Sequence, residues 1–280
     1  MTALTETFTL PNGVTIPQVG FGTWQVPDGP VAEGAVAAAL KAGYRHIDTA
    51  WQYGNEASVG RAVRASGIAR KDIFVTSKLP AHAKTYADAM NAFQESFAKL
   101  DLDYIDMYLI HAPWPWDDFG ADYRKQNREV WRALEDIYAT GKVRAIGISN
   151  FNARDQEDLY AHCTIKPMAL QLQYYIGFTE DANVAAARKE GLLVEGFSPL
   201  ATGFLTNNTD VAAIAAHYNA TVAQVAIRYC LQNKVLPLPK AVNPAHITEN
   251  AQLDFTISDE DMQTLDQLVD TAPGEEHNLY

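Results

Sequence analysis

The stretch IDMYLIH, residues 105–111, is a short apolar run that stops on an imidazole. The same form recurs before it in IFVTSK, residues 73–78, and after it in VRAIGISN, residues 143–150. Short apolar runs bounded by polar or turn-forming residues are typical of strands buried in a parallel sheet. Seven such runs follow the first glycine turn, and they end on Asp48, Lys78, His111, Asn150, Gln171, Ser198 and Lys240.

Segments with helical patterning fill the gaps between these runs, so strand and helix alternate at intervals of roughly thirty residues. This repeat predicts an α/β fold, a (β/α)8 TIM barrel, whose functional groups lie at the carboxyl ends of the strands. The first barrel strand is expected to end at GFG, residues 20–22. The predicted barrel helices span residues 31–42, 57–66, 86–100, 128–140, 153–161, 180–189, 210–217 and 244–251.

Other segments fall outside this alternation. Residues 7–10 and 14–16 flank a Pro-Asn-Gly turn, which predicts an N-terminal β-hairpin at the end of the barrel opposite the site. Two additional helices are expected over residues 221–232 and 258–270. No linker or low-complexity block divides the chain, and a barrel commonly forms one unit of about 250 residues. We therefore expect a single domain over residues 1–280.

The C-terminal tail, residues 271–280, has the sequence TAPGEEHNLY. It either covers the pocket or is disordered, and the sequence favours neither alternative.

The composition limits the classes of partner. A net charge of −12 argues against nucleic acid, because binding a phosphate backbone requires clustered Lys and Arg. The two cysteines have no metal-ligand spacing, so no structural zinc or disulfide framework is expected. There is no signal-peptide pattern and no apolar run long enough to cross a membrane. We expect a cytoplasmic protein, and a monomer rather than an oligomer.

Four ionisable residues should meet at the mouth of the barrel: Asp48, Tyr53, Lys78 and His111. Each alone has a plain structural explanation, such as a turn carboxylate or a solvated strand end. Together they suggest proton transfer, because a buried lysine keeps its proton only beside a carboxylate. The ammonium should then lower the pKa of the Tyr53 phenol and make it a general acid near neutral pH. His111 can donate a hydrogen bond to an oxygen that gains negative charge.

These four residues and their surroundings resemble the catalytic tetrad of the aldo-keto reductases. Of the branches of that family, the chain most resembles the prokaryotic and yeast branch that includes the 2,5-diketo-gluconate reductases. The resemblance covers nearly the whole chain. It rests on GFGTW at 20–24, GYRHIDTAWQYGNE at 43–56, SKL at 77–79, LIH at 109–111, GISNF at 147–151 and LPK at 238–240.

The resemblance implies an oxidoreductase that acts on CH–OH groups and reduces aldehydes and ketones to alcohols by hydride transfer from NADPH. Tyr53 would be the general acid, tuned by the pair of Lys78 and Asp48, and His111 would orient the carbonyl group. The substrate would be a small carbonyl compound. No metal is expected. The cofactor-binding residues that it implies are Gly22, Thr23, Trp24, Asp48, Ser149, Asn150, Gln171, Phe197, Ser198, Leu200, Gly203, Lys240, Ala241, Val242, His246, Glu249 and Asn250.

Two departures from the family pattern bear on the coenzyme. Lys240 can meet the 2′-phosphate of NADP(H), but Ala241 stands where relatives carry a serine. His246 replaces an arginine that commonly grips that phosphate, and an imidazole binds it more weakly than a guanidinium. We expect a preference for NADP(H) that is eroded, with usable activity on NAD(H).

The substrate pocket should also differ from that of relatives. Ala112 stands where many of them carry a tryptophan, which predicts more room near the reacting carbon. The long segment of residues 112–127 is rich in aromatic residues and is expected to form part of the pocket wall. The predicted substrate-binding residues are Trp24, Trp51, Tyr53, His111, Ala112, Trp114 and Trp116.

Two alternatives stay open. One is a different barrel enzyme, such as an isomerase that uses Lys78 and Asp48 as acid and base. The other is a non-catalytic nucleotide-binding barrel that acts as a partner subunit; the intact tetrad speaks against it.

Overall fold

Eight parallel strands form one sheet in sequence order, and the computed structural model describes residues 3–269 and 271–273. The first and last strands are joined by backbone hydrogen bonds from Gly20 N to Pro237 O and from Gly22 N to Pro239 O, both 3.0 Å, so the sheet closes. The barrel strands are β3 (Phe21–Gly22), β4 (His46–Asp48), β5 (Phe74–Leu79), β6 (Ile105–Ile110), β7 (Val143–Ser149), β8 (Ala169–Gln173), β9 (Leu193–Phe197) and β10 (Val235–Leu238).

Helices cover the outside of the sheet, which explains why the strands are buried on both faces. Every residue of β5 and of β6 is buried. The helices are α1 (Pro30–Ala42), α2 (Glu56–Ala65), α3 (Tyr86–Leu100), α4 (Arg124–Ala139), α5 (Ala153–His162), α6 (Asp181–Lys189), α7 (Thr209–His217), α8 (Val222–Gln232), α9 (Pro244–Asn250) and α10 (Asp259–Asp266).

A two-stranded antiparallel hairpin, β1 (Thr7–Thr9) and β2 (Thr15–Pro17), packs on the end of the barrel where the strands begin. Leu10 and Ile16 are buried in the core, and the Asn12 amide donates to the carbonyl of Arg144 near the start of β7. The predicted (β/α)8 barrel and its hairpin are confirmed.

Several boundaries differ from the sequence prediction. Helix α4 begins at Arg124, four residues before the predicted start. Helix α10 ends at Asp266 and does not continue to the end of the predicted segment. The segment after β9 forms a kinked 3-10 turn over Ala201–Asn207, in which Thr202 and Gly203 have positive φ values of 52° and 104°. An irregular segment of this kind has no periodic pattern that a sequence could reveal.

The start of the C-terminal tail lies against the loop that follows β8. The Thr271 hydroxyl donates to the carbonyl of Ile176, and Ala272 is buried. The rest of the tail for which the two alternatives were predicted, residues 274–280, lies outside the described residues, so the choice between them stays open.

Neither a membrane segment nor a metal cluster is found in the described part of the chain. No helix of residues 3–269 is long and apolar enough to cross a membrane, and no group of three or more His, Cys, Asp or Glu side chains there could hold a metal ion. Cys163 and Cys230 are free thiols.

Candidate active site

A cavity of about 740 Å³ opens where the barrel strands end. It is the place where the polar strand ends converge, as the barrel topology requires. The described residues that line it are Gly22, Trp24, Gln25, Asp48, Gln52, Tyr53, His111, Trp116, Ser149, Asn150, Gln171, Gln173, Phe197, Ser198, Pro199, Leu200, Thr202, Gly203, Leu238, Pro239 and Lys240.

A buried ion pair lies at the floor of this cavity. Lys78 on β5 is 0% exposed, and its Nζ donates to Oδ1 of Asp48 at 2.6 Å. The same Nζ donates to the carbonyl of Thr49 at 2.9 Å and to the Tyr53 hydroxyl at 3.3 Å. All three hydrogens of the ammonium therefore have acceptors, and one acceptor is the phenol. Tyr53 reaches this place from a short 3-10 turn, Trp51–Tyr53, that follows β4.

The electrostatics of this cluster differ in one respect from the prediction. Burial acts to lower the pKa of Lys78, but the Asp48 carboxylate and the Tyr53 oxygen outweigh it, so the pKa is raised and the ammonium persists. Burial raises the pKa of Tyr53, and the Lys78 charge opposes only part of that effect. The prediction that the phenol has a pKa below its ordinary value is therefore wrong. Lys78 limits the rise, because desolvation of the phenolate is the larger effect.

His111 carries a neutral imidazole. Burial, followed by the Lys78 charge, holds its pKa well below the ordinary value. The ring lies edge-on to Tyr53, with centroids 5.5 Å apart, and to Trp116 at 5.4 Å. Its Nδ1 has no hydrogen-bond partner among the described residues. A neutral imidazole beside a phenol can donate one hydrogen bond to a ligand without competing for the phenolic proton.

Amide side chains at the ends of β7 and β8 form a second polar region of the cavity. Asn150 has a left-handed φ of 62° and donates through Nδ2 to the carbonyl of His111 at 2.8 Å. Nδ2 also donates to the hydroxyl of Ser149 at 3.1 Å, whereas Oδ1 is buried and has no partner in the described part of the chain. A buried acceptor of this kind, beside Gln171 and Phe197 in the lining, suits a flat ligand with an amide group such as nicotinamide.

Gln171 connects this region to the ion pair. Its Nε2 donates to Oδ2 of Asp48 at 3.0 Å and to Oε2 of Glu195 at 2.9 Å. Glu195 is 0% exposed, and burial, helped by the Asp48 charge, raises its pKa to about 8. Glu195 is a functional residue that the sequence pattern did not indicate. The available signal was its place on β9, two residues before Phe197 and hence on the same face of the strand.

The predicted coenzyme residues divide into two groups. Eleven line the cavity: Gly22, Trp24, Asp48, Ser149, Asn150, Gln171, Phe197, Ser198, Leu200, Gly203 and Lys240. Thr23 does not; it is fully buried, and its hydroxyl donates to the carbonyl of Asp48 at 2.9 Å. The others lie outside the cavity, on or just before α9: Ala241, Val242, His246, Glu249 and Asn250.

The predicted substrate residues divide likewise. Trp24 and Trp116, which are 45% and 41% exposed, line the cavity together with Tyr53 and His111. Trp51 lies outside it, where its indole N–H donates to Glu95 at 2.8 Å. Ala112 and Trp114 are buried in a small cluster with Ala81 under the loop and do not line the cavity.

The extra room predicted next to Ala112 is not found. Ala112 is 0% exposed and does not line the cavity, and Trp116 from the following loop stands against the His111 ring. Trp114 packs edge-to-face against Trp116, with ring centroids 5.1 Å apart. The loop thus supplies an indole beside the imidazole.

Several lining residues were not identified from the sequence. Three are glutamines, Gln25, Gln52 and Gln173, and the last could have been found because it follows Gln171 by two residues on one strand face. The remaining four are Pro199, Thr202, Leu238 and Pro239.

Comparison with known proteins identifies the family. The sequence model of the Aldo/keto reductase family matches residues 18–270. A glyoxal reductase of Bacillus subtilis is 41% identical over 268 residues, which cover 95% of this chain and 94% of the relative. An aldo/keto reductase structure from Brucella melitensis has 38% identity and a TM-score of 0.89, covering 95% of this chain and 99% of that one.

A Bombyx mori aldo-keto reductase solved in complex with NADP has 33% identity and a TM-score of 0.86, covering 96% of this chain and 94% of that one. None of these relatives is named a 2,5-diketo-gluconate reductase, so membership of that branch stays a prediction. The extent and identity of the matches show that the chain belongs to the aldo-keto reductase family.

Proposed function

We propose that this protein reduces aldehydes and ketones to alcohols with NADPH. The observation that carries the proposal is the contact of a buried, carboxylate-paired ammonium with a cavity-facing phenol, Lys78 to Tyr53 at 3.3 Å, beside a neutral imidazole. Relatives support the reaction class: one is a glyoxal reductase and another was solved with NADP.

Proton transfer is the part of the reaction that the protein's own side chains perform. Bound NADPH supplies a hydride to the carbonyl carbon. Tyr53 gives its proton to the carbonyl oxygen, which becomes the alcohol hydroxyl. Its raised pKa suits this role, because a general acid must hold its proton at the working pH and an alkoxide is a much stronger base than a phenolate. The Lys78 ammonium stabilises the phenolate that remains.

His111 orients the substrate. Its lowered pKa keeps the imidazole neutral, so it donates a hydrogen bond to the carbonyl oxygen and leaves the proton transfer to Tyr53. Trp24 and Trp116 exclude water from one side of the cavity and offer apolar surface to the substrate.

Ser149, Asn150 and Gln171 would hold the carboxamide of the nicotinamide, with Phe197 against the ring. Lys240 would meet the 2′-phosphate. His246 and Ala241 offer that phosphate neither a guanidinium nor a hydroxyl group, which supports an eroded preference for NADP(H) with usable activity on NAD(H). A monomeric state and a cytoplasmic location stay predictions from the sequence; light scattering of the purified protein tests the first.

Tyr53→Phe tests the proposed function. It keeps the ring and removes the proton donor, so NADPH consumption with an aldehyde should fall by a factor of about 10² to 10⁴, the usual contribution of general acid catalysis. The dissociation constant for NADPH, measured by tryptophan fluorescence, should change by less than about threefold, since a lost contact to the ring edge is small. Full turnover by the variant would refute the role of Tyr53. Coenzyme binding by the wild-type protein without turnover of any carbonyl would support the non-catalytic alternative.

A further inference from the structure

Glu195 is a buried carboxyl group that the proposed reaction does not use. It lies on β9, paired in register with Gln171 on β8, and is 0% exposed. Its Oε2 accepts from Gln171 Nε2 at 2.9 Å, while its Oε1 has no hydrogen-bond partner among the described residues. Burying a carboxyl group in the interior of a barrel is costly, and among the described residues its side-chain hydrogen bond is with Gln171, which lines the cavity.

Two carboxyl groups fix the orientation of the Gln171 amide. One hydrogen of Nε2 goes to Oδ2 of Asp48 at 3.0 Å and the other goes to Glu195. Because the Asp48 carboxylate presents only acceptors, the amide nitrogen must face it, and turning the amide over would oppose the Gln171 oxygen to that carboxylate. The Gln171 carbonyl oxygen is therefore the group left for a ligand in the cavity.

We propose that Glu195 is a positioning residue for the coenzyme. Together with Asp48 it holds Gln171 so that the Gln171 carbonyl oxygen accepts from the carboxamide NH2 group of the nicotinamide. Its own ionisation makes the affinity for the oxidised coenzyme, relative to the reduced one, depend on pH. This inference rests on the proposed function, since it requires that a nicotinamide lie at Gln171.

The two coenzyme forms differ in charge. The oxidised nicotinamide ring carries a positive charge and the reduced ring does not. Burial raises the pKa of Glu195 to about 8, with the Asp48 charge adding to the rise and the Gln171 hydrogen bond and Lys78 opposing it. Glu195 is therefore mainly neutral at pH 7 and mainly charged at pH 9. Its negative charge then favours the oxidised ring.

Four other groups near this region, Lys78, Tyr53, His46 and His111, keep their charge between pH 7 and pH 9. The pKa of Lys78 and that of Tyr53 are raised, while burial lowers that of His46 to about 3 and that of His111 well below its ordinary value. Asp48 stays paired with Lys78.

Lys84, whose pKa burial lowers to about 7, donates to the carbonyl of Ala112 at 3.0 Å and to Oδ1 of Asn127 at 3.1 Å, and it is not among the groups that shift the pKa of Glu195.

The test measures dissociation constants of the coenzyme-free protein for NADP⁺ and for NADPH by tryptophan fluorescence, at pH 7 and pH 9. The ratio of the two constants cancels the titration of the 2′-phosphate, which both coenzymes share. In the wild type, this ratio should shift in favour of NADP⁺ by about threefold or more between the two pH values, as expected for a charge acquired near the ring.

Two variants separate geometry from charge. Glu195→Gln keeps an acceptor for Gln171, so both affinities at pH 7 should match the wild type, but the ratio should no longer depend on pH. Glu195→Leu removes the acceptor and should weaken both coenzymes about tenfold at pH 7, because Gln171 loses one of its two fixed partners. Glu56→Gln is the matched control: Glu56 is also a buried carboxyl with a raised pKa, but it lies on α2 and accepts from Ser77 at 2.6 Å. In Glu56→Gln, the ratio of the dissociation constants for NADP⁺ and NADPH should vary with pH as in the wild type.

The outcomes are distinguishable. A pH-dependent ratio that persists in Glu195→Gln, or a folded Glu195→Leu that binds like the wild type, would overturn the inference. If Glu195→Leu fails to fold by circular dichroism, the Glu195→Gln comparison decides alone. A wild-type protein that binds neither coenzyme refutes the proposed function instead.

Discussion

Replacing Asp48 by asparagine should convert Lys78 into a group that titrates within the range of ordinary assays. The two side chains are 2.6 Å apart and almost completely buried. At that distance, and at an effective dielectric constant of about 20, the attraction between the two charges is about 6 kcal/mol. The asparagine oxygen recovers part of it as a hydrogen bond. We therefore expect a net loss of about 3–5 kcal/mol, the usual cost of breaking a buried pair.

This loss acts on the protonation of Lys78. At about 1.4 kcal/mol per pH unit, it lowers the pKa of Lys78 by about two to four pH units from the raised pKa of the wild type. The rate of NADPH oxidation by Asp48→Asn should then fall as pH rises between about pH 7 and pH 9, since a neutral amine no longer stabilises the Tyr53 phenolate. The wild type should show no such decline, because its ammonium persists above that range.

The stability of Asp48→Asn should increase with pH, whereas its rate decreases. In the variant, the pKa of folded Lys78 lies below that of the unfolded chain, so the unfolded state binds more protons and the free energy of unfolding rises with pH through the same window. Urea denaturation at pH 7 and pH 9, beside steady-state rates, measures both effects.

Asp106→Asn is the control. Asp106 is a buried carboxylate near the start of β6, paired with Arg70 at 2.7 Å and Arg144 at 2.6 Å. This variant should lose comparable stability without a new decline in rate. A flat rate profile for Asp48→Asn would refute the reasoning about Lys78.

Three further outcomes are expected. Trp116→Ala should increase kcat/KM for branched ketones relative to small aldehydes by about tenfold, because the indole stands against His111; an unchanged ratio would place the specificity elsewhere. His246→Arg should raise the kcat/KM preference for NADPH over NADH by about tenfold through a charge-assisted contact, and a wild-type preference above about a thousandfold would contradict the eroded selectivity. Among the described lining residues the charged ones are Asp48 and Lys240. The kcat/KM for para-formylbenzoate should therefore be at least about tenfold lower than that for its methyl ester, since its carboxylate meets no cation near Trp116. Equal values of kcat/KM for the two compounds would contradict this.

The barrel could be predicted because its strands repeat one pattern. Each apolar run must be buried on both faces and end at the same mouth of the barrel. A polar residue that follows the run therefore lies at that mouth. The same constraint brings Asp48, Lys78 and His111 together, and Tyr53 follows one short turn later.

The site predictions that were wrong or incomplete depend on quantities that a sequence does not contain. The pKa of Tyr53 is a balance between desolvation and the Lys78 charge, and its direction follows from the depth of burial. Trp114 and Trp116 are two residues apart in an irregular loop, where no periodicity indicates which one faces the cavity. Glu195 looked like one polar residue within an apolar strand, and only the position of Gln171 makes it part of the site.

The hairpin of β1 and β2 closes the barrel at the end where the strands start, whereas every lining residue lies where they finish. Its turn, with Asn12 and Gly13 exposed, offers an attachment point to a solid support or a fusion partner. A catalyst tethered there would keep its mouth open to bulk solution, so immobilisation should leave both coenzyme exchange and product departure unhindered.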